Sequence, residues 1–142
     1  MKAQVKTFLV VDDELHVTHL LAHKLKQAGV SVLTANDGQQ GFELATRYLP
    51  DVVITDFRMP VLSGYEMSVK LRAEPATSHI PILMLTACGH KLSEEELAVT
   101  GICEVLSKPF AVRRLIAAAM ALADEAAGPE IDGGAAPEGK AA

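Results

Sequence analysis

Four short stretches of this 142-residue chain close an apolar run with polar groups able to handle a phosphoryl group: Val11-Asp12-Asp13-Glu14, Asp56-Phe57-Arg58-Met59-Pro60, Leu85-Thr86-Ala87 and Ser107-Lys108-Pro109-Phe110. A carboxylate can act as a nucleophile towards phosphorus, and such transfers are catalysed mainly by positioning and by neutralising charge. Asp56 stands alone at the end of its run, which makes it the better-placed nucleophile. Asp12, Asp13 and Asp56 brought together repel, so the set is tenable only around a cation or with raised pKa values. Such oxygen donors suit a hard divalent ion, Mg²⁺ better than zinc. Lys108 offers a compact cation for a phosphoryl oxygen, Thr86 offers a hydroxyl donor, and Ala87 leaves the neighbouring amide open. Taken alone, Asp12-Asp13 reads as a turn or a helix cap, because aspartate accepts amide hydrogen bonds well. The coincidence with Asp56, Thr86 and Lys108 at the ends of separate runs outweighs that reading.

The elements that must position these groups follow from hydropathy periods. Phe8 to Val11, Ser31 to Ala35, Val52 to Thr55, Ile82 to Leu85 and Glu104 to Leu106 are short apolar runs bounded by Gly, Pro, Asn or Asp, and they predict strands. Val17, Leu20, Leu21, Leu25 and Ala28 recur at helical spacing before Gly29, a left-handed stop. Phe42, Leu44, Ala45 and Leu49 supply a second helix ending at Pro50, and Tyr65 to Ala73 a third ending before Pro75. Ser93-Glu94-Glu95-Glu96 is a capping box opening a fourth, and Ala111 to Ala127 forms a fifth. Five strand-then-helix units predict an α/β fold, a doubly wound five-stranded parallel sheet with helices on both faces. In a flavodoxin-like order 2-1-3-4-5, the first and third strands flank the switch point where ligands bind, and Asp12, Asp13 and Asp56 converge there.

Composition bounds the rest. The formal charge is −5, but five acids and one lysine lie after Ala123, leaving the remainder near neutral at −1. That balance implies neither direct nucleic-acid binding nor a membrane surface. No apolar run approaches a membrane span and the start lacks a secretory layout, so a cytoplasmic protein is expected. Residues 124–142 are rich in Ala, Gly and Pro and read as a disordered acidic tail after a domain of residues 1–123. Cys88 and Cys103 match no metal-ligand spacing and are expected as small packed thiols.

In order and spacing, Asp12-Asp13, Asp56 with Met59-Pro60, Gly64, Thr86-Ala87, Gly101 and Lys108-Pro109-Phe110 resemble the receiver domain of two-component response regulators, over roughly residues 5 to 123. The resemblance implies Mg²⁺ held by Asp13 and Asp56, helped by Asp12 and the backbone carbonyl of Arg58. It implies Asp56 as acceptor of a phosphoryl group from a phosphohistidine donor, with Thr86 as switch hydroxyl, Lys108 as its cationic partner and a cis Lys108-Pro109 bond. It also implies partners: a histidine kinase or histidine phosphotransfer protein as donor, and a downstream target protein. Such a domain is a signalling module that catalyses only its own phosphotransfer and dephosphorylation.

One position departs from the pattern. Family members commonly carry Tyr or Phe three residues before the lysine; here Val105 occupies that switch position, so a smaller change of the output surface is expected. Arg58 and Cys88, two residues past Asp56 and Thr86, border the path of attacking water in this family and are expected to influence phosphate lifetime. His16, His19 and His23 lie on one face of the first helix, at spacings that could hold a metal but equally suit a solvated face. His79 and His90 lie in loops with no visible partner.

Three function classes compete. The leading one is a stand-alone phospho-accepting receiver, monomeric or weakly dimeric, acting by docking. A receiver-shaped module that binds its partner without phosphorylation is second. A magnesium-dependent phosphohydrolase is third, and it lacks the second aspartate two residues after the nucleophile that acid and base work on the leaving group requires.

Overall fold

The computed structural model describes residues 5–87 and 91–127. Strands and helices alternate without exception along the described chain: β1 (Thr7–Val11), α1 (Leu15–Gln27), β2 (Ser31–Ala35), α2 (Gly38–Tyr48), β3 (Val52–Asp56), α3 (Gly64–Ala73), β4 (Ile82–Thr86), α4 (Glu94–Ala98), β5 (Ile102–Ser107) and α5 (Val112–Ala127). The strands pair in parallel in the order β2-β1-β3-β4-β5, as the alternation predicts.

The central strands are apolar on both faces because helices cover both. Phe8, Val10, Ile54, Leu83 and Leu85 point to one side, where Leu21 and Leu25 of α1 and Leu115 and Ala119 of α5 meet them. Leu9, Val11, Val53, Ile82 and Met84 point to the other, against Ala45 of α2 and Met67 and Leu71 of α3. Each large side chain so buried contributes about 1.5–3 kcal/mol. Two apolar layers therefore fix the register of the sheet, since a one-residue slip would exchange them.

Helix boundaries follow local chemistry. Gly29 takes φ 95° after α1. Asp37 caps α2 through the amide of Gln40, and Ser63 with Glu66 and Ser93 with Glu96 form complete capping boxes on α3 and α4. Three expectations need correction. Leu20 is exposed and Thr18 is buried in its place, because the inward face of α1 is Thr18, Leu21, Ala22 and Leu25. Leu49 is an exposed left-handed residue at φ 50° that ends α2 rather than a packed one. β5 starts at Ile102, two residues early, and Cys103 is exposed rather than packed. The cause is a bulge: the pairing passes from Ile82 with Ile102 to Leu83 with Glu104, so Cys103 is an extra residue without a partner. The fifth helix ends at Ala127, as its periodicity predicts, one turn beyond the buried Ala123. Cys88, His90 and the stretch beyond Ala127 lie outside the described residues.

Candidate functional site

All five strands run the same way, so their last residues share one edge of the sheet. Asp56 is the final residue of β3 and Thr86 of β4, Asp12 and Asp13 directly follow β1, and Lys108 directly follows β5. Ligand oxygens of Asp12, Asp13 and Asp56 lie within 4.8 Å of one another. Lys108 Nζ sits 2.7 Å from Asp56 Oδ1. The side chains singled out by type and spacing in four separate stretches thus occupy one place.

Each is held by backbone bonds that do not depend on the site itself. The Lys108 amide donates to the Thr86 carbonyl at 2.8 Å, tying the ends of β4 and β5 together, and the Phe57 amide donates to Leu85 at 2.9 Å. Thr55 Oγ1 donates to the Asp56 carbonyl at 2.9 Å. Gly64 approaches so closely that an added Cβ would collide with the Asp56 carbonyl oxygen, and its amide donates to Phe57 at 2.9 Å. The Lys108-Pro109 peptide is cis. Thr55 was not singled out from the sequence; a hydroxyl residue directly before Asp56, inside an otherwise apolar strand, was the available signal.

Electrostatics distinguish the acids. Asp12 is 1% exposed, and burial lifts its pKa to about 6. The Glu14 amide, donating to Oδ1 at 2.9 Å, opposes that rise, while the nearby Asp56 carboxylate adds to it. Oδ2 of Asp12 is buried with no hydrogen-bond partner. Burial pushes Lys108 down, but the hydrogen bond and charge of Asp56 outweigh it and leave the ammonium above its ordinary value. Asp13 is exposed, and Asp56 is 8% exposed. A cleft of about 130 Å³ opens over Asp56, lined by Phe57, Arg58, Ala87 and Lys108.

An all-oxygen donor set, with one buried carboxylate oxygen left unpartnered, fits a hard divalent cation such as Mg²⁺. Thr86 is fully buried and its Oγ1 also has no partner, a cost that an ordinary strand end would not carry. Arg58 is exposed at the cleft, and Val105 is half-buried opposite Met84 on β5. His16, His19 and His23 are all exposed on α1, and none belongs to the acidic set. Among the described residues no helix is long and apolar enough to cross a membrane.

An acidic pocket at the carboxyl edge of a doubly wound parallel sheet narrows the class of protein, and sequence comparison makes it specific. Residues 8–120 match the response regulator receiver domain family, to which the chain belongs. It is 35% identical over 112 residues to the phosphate regulon transcriptional regulatory protein PhoB of Pseudomonas aeruginosa, covering 79% of this chain and 49% of that protein. It is 35% identical over 111 residues to the "Probable chemotaxis protein CheY" of Rhizobium etli, covering 78% of this chain and 86% of that one. The chain spans about half the length of the first curated relatives it matches. Among solved structures, the receiver domain of the sensor histidine kinase PA1611 from Pseudomonas aeruginosa superposes with a TM-score of 0.75 at 27% identity, over 85% of this chain and 99% of that one. That structure has a magnesium ion coordinated in its active-site cleft.

Proposed function

We propose that this receiver domain accepts a phosphoryl group on Asp56 from a phosphohistidine of a histidine kinase or histidine phosphotransfer protein, in a Mg²⁺-dependent reaction, and thereby changes its affinity for a target protein. The observation that carries this reading is the meeting of Asp56 with Asp12 and Asp13 on one side and Lys108 on the other. Asp12, Asp13, Asp56 and the Arg58 carbonyl would hold the ion, which when bound offsets the negative charge of the carboxylates and of the incoming phosphoryl oxygens.

Asp56 supplies the oxygen that forms the new O–P bond. The P–N bond of the donor breaks, its electron pair stays on the imidazole nitrogen, and that nitrogen takes up a proton. Lys108, paired with Asp56 Oδ1 at rest, transfers its contact to a phosphoryl oxygen. Thr86 gives its unpartnered hydroxyl to a second oxygen, which satisfies the buried group. Water attack on the acyl phosphate later returns free carboxylate and inorganic phosphate, with Arg58 at the rim of the cleft and Cys88 affecting that rate. The module works in the cytoplasm and acts by docking to proteins rather than to nucleic acid.

Val105 favours one qualification of the output. Half-buried against the Met84 layer, it is too small to act as the ring that usually couples the threonine to the surface around α4 and β5. Phosphorylation therefore changes that surface less than in aromatic-bearing relatives. Incubation with Mg²⁺ and acetyl phosphate followed by intact-mass measurement tests the acceptor chemistry: wild type gains one phosphoryl mass and Asp56→Asn does not. No gain in wild type would leave the phosphorylation-independent interaction module as the better reading.

A further inference from the structure

A second cavity among the described residues lies at the opposite end of the sheet from Asp56. It is a groove of about 560 Å³ where β4 and β5 begin, walled by the end of α3, the loop entering β4 and the end of α4. Five strand residues separate it from the acceptor edge, about 13 Å or more. Its volume lies within the roughly 300–1,000 Å³ typical of small-molecule sites.

Its lining departs from the rest of the molecule in charge. The chain carries 18 acids against 13 Lys and Arg, yet the groove presents Arg72 and His79 and no carboxylate. The ion pairs among the described residues are Lys108 with Asp56 and Arg114 with Glu104, so no described acid pairs with Arg72 or His79. Arg72 is nevertheless held: one guanidinium nitrogen donates to the Thr100 carbonyl at 3.0 Å, bridging α3 to the loop entering β5. The remaining N–H groups form the planar fork that suits a carboxylate or phosphate. Ile80, Leu97 and Ile102 supply apolar walls. The bulge in β5 frees Cys103 from the pairing and turns an exposed thiol to this same groove.

We propose that this groove binds a small organic anion, a carboxylate or phosphate monoester joined to an apolar or ring-shaped body, with Arg72 as its anchoring cation and His79 as a supporting donor. The acceptor chemistry at Asp56 is not needed for this site, and the two readings can fail independently.

Amide correlation spectra of the full chain test it, recorded while sodium benzoate, adenosine 5′-monophosphate or inorganic phosphate is added to about 10 mM, above the millimolar range expected of a weak small-ligand site. The proposal requires saturable shifts at Arg72, Ser78 to Ile80 and Thr100 to Cys103 with benzoate, with the nucleotide, or with both; which of the two binds identifies the anionic group. Arg72→Gln should weaken binding about tenfold or more, and His79→Ala, in an exposed loop, by a smaller factor. Bound anion should also slow alkylation of Cys103, read by peptide mass mapping. Absence of saturable shifts with either organic anion overturns the proposal, as does unchanged affinity in a folded Arg72→Gln chain. Should that variant not fold, unchanged affinity in His79→Ala overturns it instead. Inorganic phosphate binding as tightly as the nucleotide would overturn the role given to the apolar walls.

Discussion

Asp12→Asn should stabilise the metal-free protein near neutral pH, and the size of the gain can be worked from the site. Asp12 is sealed from solvent, one of its oxygens has no donor, and the carboxylates of Asp56 and Asp13 lie close by. Its pKa rises from an ordinary 3.8 to about 6, so folding takes up a proton in this range. The stabilising contribution of the protonated acid is complete below about pH 4 and is lost as pH climbs through 6. Above that, the ionised, poorly solvated carboxylate weighs against the fold. Two pH units correspond to about 3 kcal/mol. Because the cluster opens to solvent at Asp13, screening reduces this to about 1–2 kcal/mol. Asparagine keeps the shape and the acceptor for the Glu14 amide, and its NH₂ can donate towards Asp56.

For a domain of this size, such a gain raises the melting temperature by roughly 3–10 °C. Melts in EDTA across pH 4 to 8 should show the mutant's advantage near zero at pH 4, growing through pH 6 and level above pH 7. Excess Mg²⁺ should shrink or invert it, because wild type alone gains the full linkage stabilisation of a bound ion. An advantage that does not vary with pH, or a mutant no more stable than wild type at pH 7.5 in EDTA, would refute the account of Asp12 as a strained carboxylate.

Other perturbations probe the parts separately. Thr86→Val removes a buried hydroxyl without a partner at constant shape; it should raise stability by about 1 kcal/mol while slowing phosphorylation by acetyl phosphate tenfold or more, read by denaturant melts and intact mass. Val61 holds φ 72°, is 78% exposed and is spanned by a Leu62 amide to Pro60 carbonyl bond of 2.7 Å, the strained form of a γ-turn. Val61→Asn should therefore add about 1 kcal/mol to stability, and an unchanged melting temperature would argue against stored strain. Gly64→Ala drives a Cβ into the Asp56 carbonyl and should cost about 2–4 kcal/mol in urea denaturation. For Val105, amide exchange over residues 93–110 should change little on adding beryllofluoride; strong new protection there would contradict a muted output.

Most of the fold was legible because its determinants are local and repeated. Five apolar runs separated by helical periods admit few arrangements once right-handed crossovers are required, and the acidic and basic ends of those runs could be read as one edge. What escaped was set by tertiary context. Leu20 looks like core by type, but Thr18 faces the sheet, because the inward stripe of α1 is decided by where the helix sits against β1 and β2. Cys103 looks like a packed thiol, but the bulge opposite Ile82 and Leu83 breaks the alternation on which that reading depends. Leu49 and Val61 take left-handed angles that their residue types disfavour. Nothing in a leucine or a valine announces that.

The same geometry bears on how a change at Asp56 could reach the surface without a large ring at position 105. Thr86 and Lys108 are not independent side chains, since the Lys108 amide hangs from the Thr86 carbonyl and the Lys108 ammonium from the Asp56 carboxylate. A phosphoryl group that draws Thr86 and Lys108 together therefore pulls on the backbone at the ends of β4 and β5 at once. Val105 faces Met84 two residues before that bond, and Leu92 and Leu97 pack half-buried over the same layer. Beyond this layer α4 buries none of its own five residues. The backbone tie therefore carries only a small part of the coupling that an aromatic side chain carries elsewhere, in keeping with a muted change over residues 93–110.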